Sequence, residues 1–410
     1  MKVLAYQSLA LILFPLLSLA QERPADSTNN IEELLLFYEQ EELLVVTATR
    51  YSQKKKESPS AITVITKEDI KKHSWRNLIE ALETVVGFDV TYNRRLRRPE
   101  IGARGMLGGS VGKRVLVMVD SRPVNRAADG SSDLGFETPL NNIERVEIIR
   151  GPGSALYGPN AFSGVINIIT LPPAANSTTD LSVTYGTGNT RGYDLNASNT
   201  IGAVGLSLSV SGIHFDDEGI WKTNEDLSRD SLWGKLTYGD FILSAGYNKN
   251  DKGLPVKGRY DDGDFQAENR LWFVDGKYAF QATQNLNVNL HAYLNNEDRR
   301  LTYADKIVGT HPHAQNQTKD EVRTGGDITL DYLISESFRF VSGAEIRHEE
   351  FKFNLDLGSN RRETTNTGIF FQGEGRFLDG LLITAGGRYD DHSIYDGVVS
   401  PRLSASYPFL

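Results

Sequence analysis

From about Leu181 onward, apolar side chains recur at every second position. Val204, Leu206, Leu208 and Val210 alternate with Gly205, Ser207, Ser209 and Ser211. Leu286, Val288, Leu290, Ala292 and Leu294 do the same among polar neighbours, and Ile369, Phe371, Gly373, Gly375 and Phe377 repeat the theme. So do Leu381, Ile383, Ala385, Gly387 and Tyr389. A period of two is that of a β-strand with one wetted face. Runs of this kind number about twelve before Leu410, counted between turn signals. Short Gly/Asn/Asp turns join them on one side. Longer polar stretches join them on the other: Asp216 to Arg229, Asn248 to Asp264 and Asp298 to Thr318. A soluble β-sandwich would explain any single strand equally well. Length decides for the membrane, because many runs reach the roughly 9–11 residues of a tilted spanning strand. The expected fold class is mainly β, with residues 178–410 forming part of an antiparallel transmembrane β-barrel.

Upstream the periodicity is mixed. Between Ser58 and Thr170 the pattern predicts an α+β unit. Its strands are expected at Ala61 to Thr66, Val115 to Val119, Val146 to Ile149 and Val165 to Ile169. Short helices are expected at Lys67 to Lys72 and at Asn77 to Thr84, with Asn77 as a cap. Residues 21 to 40 read as an acidic lead with helical character at Ile31 to Tyr38. Glu42 to Arg50 is a β-prone run just before the charged Lys54 to Glu57. An unpaired strand invites a partner. That run is therefore either a buried first strand or a peptide that pairs with another protein.

The first residues read as a secretory signal. Lys2 is the positive start, Val3 to Leu19 is apolar apart from Gln7, Ser8 and Ser18, and Ser18-Leu19-Ala20 places cleavage before Gln21. An uncleaved anchor is the alternative, disfavoured by the polar Gln21-Glu22-Arg23. No later stretch approaches the roughly 20 apolar residues of a spanning helix. A membrane crossing must then be a closed barrel. The chain has 410 residues and no cysteine, which excludes disulfides, thiolate metal sites and a catalytic thiol. A net charge of -9 excludes a general nucleic-acid binder, which needs a basic footprint.

Longer motifs then carry a resemblance. They are Ser60 to Thr66, Ile101-Gly102-Ala103-Arg104-Gly105, Val115 to Asp120 with Arg122-Pro123-Val124-Asn125, Ile143 to Gly158 and Gly164 to Thr170. Together they resemble the plug of the TonB-dependent outer-membrane receptors. Gly387-Arg388-Tyr389-Asp390 and Ser400-Pro401-Arg402-Leu403 are similar to that family's mid-barrel strands. The resemblance implies a signal peptide at 1–20, a periplasmic extension at 21–57, a plug at 58–172 and barrel strands at 178–410. It also implies a 22-strand barrel around the plug. Geometry agrees with the larger ring: a unit of this size is a sphere of about 17 Å radius. Twelve closed strands leave a backbone radius of roughly 12 Å, and 22 strands roughly 22 Å. The expectation is that the chain is a fragment or truncated product.

The resemblance also assigns roles. Leu44, Val45, Val46, Thr47 and Ala48 resemble the TonB box, at about 43–49. There a short β-branched peptide adds a strand to a TonB-type periplasmic energy-transducing protein. A first plug strand is the alternative; Lys54 to Glu57, separating the run from the plug, favours the box. Ligand contacts are expected on outward plug loops, at Tyr92, Arg94, Arg95, Arg97 and Arg98, then Asn125, Arg126 and Asp129. Four arginines in five positions suit an anionic chelate such as a ferric siderophore, although a charge run can equally be a solvated surface. Cobalamin or haem is the alternative cargo, and an adhesin or bacteriocin docking protein the alternative function. Arg104 and Arg150 are expected to lock plug to barrel. Their usual glutamates are expected beyond residue 410, which leaves Glu144 or Glu147 as local substitutes. The implied location is the Gram-negative outer membrane, in contact with its lipid, with no cofactor and no nucleic acid.

Catalytic-looking strings fail on context. Gly108-Gly109-Ser110-Val111-Gly112 matches a nucleophile elbow, but a strand follows where a helix is needed. The same stretch lacks the first Gly and the final Ser/Thr of a phosphate loop, so a glycine turn is expected. His311-Pro312-His313 offers two ligands and no third. Tyr260 to Asp264 reads as an acidic turn, with Ca²⁺ as the alternative. An enzyme is not expected.

Overall fold

A computed structural model describes residues 43–93, 98–106, 113–132, 134–216, 226–254, 265–303, 316–355, 358–377 and 380–407. The expected signal segment, the extension as far as 42, Arg94, Arg95 and Arg97, Gly108 to Gly112, Asp261 to Asp264 and His311 to His313 lie outside them.

The N-terminal unit starts with two short strands, β1 (Leu44–Val45) and β2 (Gln53–Lys54), paired antiparallel. Its main sheet uses β3 (Ile62–Thr66), β6 (Val115–Val119), β7 (Arg122–Pro123), β8 (Ile143–Arg150) and β9 (Gly164–Thr170). The order is β3-β8-β9-β6-β7; β6 and β9 run parallel and the other neighbours antiparallel. A separate hairpin joins β4 (Phe88–Asn93) to β5 (Arg98–Ala103). Among the described residues three short α-helices, α1 (Lys67–His73), α2 (Leu78–Leu82) and α3 (Ser154–Tyr157), and a 3-10 turn at Lys55–Glu57 complete it.

Local chemistry explains these elements. Ile62 to Thr66 is β-branched throughout, which suits a strand. Thr66 ends it by capping α1: its hydroxyl accepts from the Asp69 amide, and the Asp69 carboxylate accepts from the Thr66 amide, a reciprocal capping box. The Asn77 side chain accepts from the amides of Ile79 and Glu80 and starts α2 one residue later than its expected beginning. All five residues of β6 are buried, as an unbroken apolar run requires. The hydrophobic cluster joins Ile65, Leu78, Leu82, Val117, Ile143, Ile148 and Ile166, with Trp233 packed against it.

Twelve further strands follow in chain order: β10 (Thr178–Gly186), β11 (Thr190–Ile201), β12 (Val204–Phe215), β13 (Leu227–Tyr238), β14 (Phe241–Leu254) and β15 (Phe265–Thr283). Next come β16 (Leu286–Tyr303), β17 (Asn316–Ser335), β18 (Phe338–Leu355), β19 (Gly358–Phe377), β20 (Leu381–His392) and β21 (Val398–Ser406). Each pairs antiparallel with the next in one sheet. Among the described residues β10 and β21 have one neighbour each, so these strands do not close on one another. No described helix is long and apolar enough to cross a membrane.

The alternation resolves which face is which. Leu206 is 56% exposed, whereas Ser211 on the same strand is 1% exposed. Leu181, Ile346, Ile369 and Phe371 likewise point outward, and Asp275, Glu345, Gln372 and Arg388 are buried. A water-soluble sandwich would show the reverse. An apolar outer face with a polar inner one is what lipid outside and a wet lumen demand.

The polar face meets the N-terminal unit along nearly its whole width. Asn141 bonds to β11 and β12 through Asn196 and Ser209. At the far side Arg402 of β21 donates to Ser60 and to the Ala48 carbonyl. One globule touched from both sides and from the strands between requires the sheet to curve around it.

The strands run further than the sequence predicts. β14 continues to Leu254, β16 to Tyr303, and β17 begins at Asn316, inside stretches expected to be loops. β17 and β19 are 20 residues long. The polar runs were misleading because strands that project beyond the lipid have no apolar face to reveal them.

Candidate functional site

Residues 44–51 form a clasp where the N-terminal unit meets the barrel wall. After β1 the chain turns, with the Arg50 amide donating to the Val46 carbonyl at 2.9 Å and Arg50 at φ 65°. This turn presents the Val46 and Thr47 amides to Glu147 of β8. Glu147 is fully buried, a costly place for a carboxylate unless it is satisfied. Four donors satisfy it. One oxygen accepts from Val46 N at 3.0 Å, Thr47 N at 2.9 Å and the Thr47 hydroxyl at 2.6 Å. The other accepts from Arg145 Nε at 2.9 Å. Asn167 of β9 donates to the Thr47 hydroxyl at 3.1 Å, and the Tyr157 hydroxyl to the Thr47 carbonyl at 2.9 Å.

The barrel holds the same segment from its other side. The Arg50 guanidinium pairs with Asp327 of β17 and Glu345 of β18, each at 3.4 Å. It also sits over the rings of Tyr157 at 4.7 Å and Phe370 at 4.3 Å. The Tyr51 hydroxyl donates to Glu374 of β19 at 2.8 Å, and burial with that carboxylate pushes the phenol well above its ordinary range. Burial does the same to the Tyr157 phenol. Arg388 of β20 completes the ring. Its side chain is fully buried against Glu345 and Asp390, and it donates to the Leu156 carbonyl. Room for it comes from Gly158, at φ +69°, where a Cβ would lie 2.8 Å from Arg388 Nε.

A second seam lies along the β7 turn. Arg122 donates to Asn295 at 2.5 Å and stacks on Phe273 at 3.7 Å, and Arg323 donates to the carbonyls of Pro123 and Asn125. Burial pushes the Arg122 guanidinium down to about 10, with Asp275 and Asp120 opposing. Burial would raise the Asp120 carboxyl, but Lys235, Lys277 and two hydrogen bonds from Thr170 hold it below the usual carboxylate range.

Several residues singled out in the sequence take other positions. Val45, Thr47 and Ala48 are buried, so the run is packed in this structure and is not an unpaired strand. Lys54 pairs with Leu44 in the β1–β2 hairpin, and the Val46 and Thr47 amides bond to Glu147 of β8, so the Lys54 to Glu57 run does not keep the segment off the plug. Asn125 accepts from Val117 N and donates to Val115 O and Gly130 O, so it braces its own turn. Arg126 is buried and pairs with Glu297 at 2.7 Å. Asp129 accepts from the amide and hydroxyl of Ser131. The backbones of Tyr92 and Arg98 lie in the β4–β5 hairpin. Arg104 lies against Gly151, and Arg150 donates to the Val86 carbonyl at 2.9 Å. Among the described residues neither has a carboxylate partner. Glu144 and Glu147, expected to stand in, pair with Arg145 instead.

Asp327, Glu345 and His291 were missed altogether. A signal existed: each is an ionisable residue at an inward position of a strand whose outward positions are apolar. Glu147 carried a similar one, as a lone charge between Val146 and Ile148.

Comparison with known proteins bears on the whole arrangement. Residues 54–165 match the family described as TonB-dependent Receptor Plug Domain, and residues 220–410 match TonB dependent receptor-like, beta-barrel. The vitamin B12 transporter BtuB of Vibrio vulnificus is 27% identical over 386 residues, covering 87% of this chain and 59% of the relative. Among solved structures, the pyoverdine outer membrane receptor FpvA from Pseudomonas aeruginosa superposes with a TM-score of 0.72 at 16% identity. That match covers 90% of this chain and 63% of that one. The siderophore receptor PirA from the same organism gives 0.62 at 21% identity, over 85% and 59%. The chain thus spans less than two thirds of the length of each.

Proposed function

Because the chain belongs to the TonB-dependent receptor family, we propose that it works in the outer membrane as an energised importer of a metal chelate. The proposal takes Leu44 to Ala48 as the peptide that a TonB-type periplasmic protein grips. One observation supports this most: a β-prone segment is held jointly by plug and barrel through contacts concentrated on Glu147 and Arg50. Such a segment is stable while docked, and once released it offers a free strand edge. Ligand bound at the outer plug loops then favours release, the partner adds its strand, and force on the segment remodels the plug.

The cargo we place first is a cobalamin-class chelate, because the relative at 27% identity is named as a vitamin B12 transporter. A ferric siderophore is the second reading, favoured by the Arg94, Arg95, Arg97 and Arg98 run, which suits an anionic ligand. The test is accumulation of labelled cyanocobalamin and of labelled ferric siderophore by cells carrying the protein with and without residues 43–49. The expected result is that one cargo is bound by both forms and accumulated by the intact form alone. Equal accumulation without residues 43–49 would overturn the importer reading, and binding of neither cargo would overturn the chelate assignment.

A further inference from the structure

His291 of β16 lies between two carboxylates. Its Nε2 is 2.7 Å from Asp275 on β15 and its Nδ1 is 3.0 Å from Asp327 on β17. A neutral imidazole has one N–H and can donate to one of them; donating to both requires the doubly protonated ring. The carboxylates are each tied elsewhere. Asp275 faces Arg122 of the plug, with Nε 4.0 Å from Oδ2. Asp327 faces Arg50 of the clasp at 3.4 Å. A line of charged contacts therefore runs Arg122, Asp275, His291, Asp327, Arg50. It crosses three adjacent barrel strands and joins the turn that leads into residues 124–131 to the segment at 44–51.

The surroundings fit a movable joint. Among the described residues, Lys277, Tyr293, Glu345, Arg347, Tyr157, Tyr278 and Asp240 are the other charged or titratable groups around the space beside His291. A cavity of about 320 Å³ lies alongside, lined by Val46, Arg50, Tyr157, His291 and Asp327 among others. Asp275 Oδ1 is buried with no hydrogen-bond partner among the described residues and has Lys277 Nζ at 3.9 Å, so the contact with His291 at 2.7 Å is the short one this carboxylate makes. Removing the imidazole would leave the buried Asp275 carboxylate and the half-buried Asp327 carboxylate facing each other across β16.

We propose that His291 is a positioning residue that couples the plug's β7 turn to the docked N-terminal segment. It holds Asp327 toward Arg50 only while Asp275 is held by Arg122. The inference deepens the importer reading by naming how an event at the outward loops reaches residues 44–51. It relies on that reading for the biological use alone, since the coupling itself is a property of this seam.

The test uses the full chain in lipid vesicles and follows hydrogen exchange at the Val46 and Thr47 amides. Relative to the parent, His291→Gln and Arg122→Gln should each speed exchange roughly tenfold, the equivalent of about 1.4 kcal/mol. The double variant should be no faster than either single one, because both break one line. Asp275→Asn should act as they do, and serves where Arg122→Gln fails to insert. Exchange at Val115 to Val119 should stay unchanged, which separates local release from unfolding. The ring ¹⁵N signals of His291 should report two protons at neutral pH in the parent and one in Asp275→Asn. A singly protonated ring in the parent, parental exchange in His291→Gln, or multiplying effects in the double variant would each overturn the coupling. A failure of residues 44–48 to engage a periplasmic partner would overturn the importer reading and leave these results untouched.

Discussion

Replacing Glu147 by Gln keeps the shape of the side chain and removes its charge. In the native site one carboxylate oxygen accepts three donors from Val46 and Thr47, and the other accepts Arg145. An amide cannot serve both sides. If its oxygen faces Thr47, its NH₂ meets Arg145 donor to donor; reversed, the NH₂ meets two backbone amides and a hydroxyl. Even in the better orientation three charge-assisted bonds become neutral ones, a loss of about 1 kcal/mol each. The docked segment is then weakened by about 3 kcal/mol, roughly a hundredfold in its open population. The absence of native cysteine makes the assay clean. Val45 is fully buried, so a Val45→Cys reporter is sealed while the segment is docked and reacts with a maleimide when it opens. Labelling in vesicles should be roughly a hundredfold faster with Glu147→Gln than without it, in step with the open population. A rate within twofold of the parent would show that Glu147 does not hold the clasp.

Arg388→Leu leaves Asp390 buried without its guanidinium, while Glu345 keeps Arg50 and Arg347, and should cost about 3 kcal/mol. The readout is thermal unfolding in detergent, and an unchanged midpoint contradicts the assignment. Ile369 is 64% exposed on the apolar outer face, so Ile369→Arg should cost about 2–4 kcal/mol if that face meets lipid at the midplane. Denaturant unfolding in vesicles measures it, and no cost would mean that lipid is elsewhere. Asp120 is held below the usual carboxylate range, so its contribution is complete above the unfolded-state value and disappears as pH falls through the lower native value. Asp120→Asn should therefore lower the midpoint at neutral pH and flatten the acid limb of a midpoint-against-pH curve; parallel curves would refute this.

Much of the fold was legible because two periodicities are visible in residue type alone. Alternation such as Val204-Leu206-Leu208 identifies a strand and its apolar face, and Asn77 before Leu78 marks a helix start. Strand ends were not legible, since Asn248 to Lys252 is polar on both faces and reads as a loop. The site was less legible still. The Leu44 to Ala48 run stood out as β-prone, but its burial depends on Glu147 and Asn167, a hundred or more residues away. Asn125 and Arg126 were expected as ligand contacts from the family resemblance alone; their bonds to Arg323 of β17 and Glu297 of β16 depend on barrel register, which the turn's own residues do not show. No local pattern reveals that His291 falls opposite Asp327, because that pairing follows from the lengths of two whole strands.

The plug's oily cluster, from Ile65 to Ile168, is drawn almost wholly from its own segment, with Trp233 as the barrel ring that leans on it. What fastens plug to wall is mostly polar: Arg323 on two carbonyls, Lys235 on Asp120, Asn248 and Lys252 on Glu137, Arg402 on Ala48. Joints of that kind can be parted with water taking the place of each lost partner, at a net cost of about 1.5–3 kcal/mol for each charged bond. A tug on one end can therefore slacken the fit one fastening at a time while the greasy centre stays dry, and letting go allows the same fastenings to re-form.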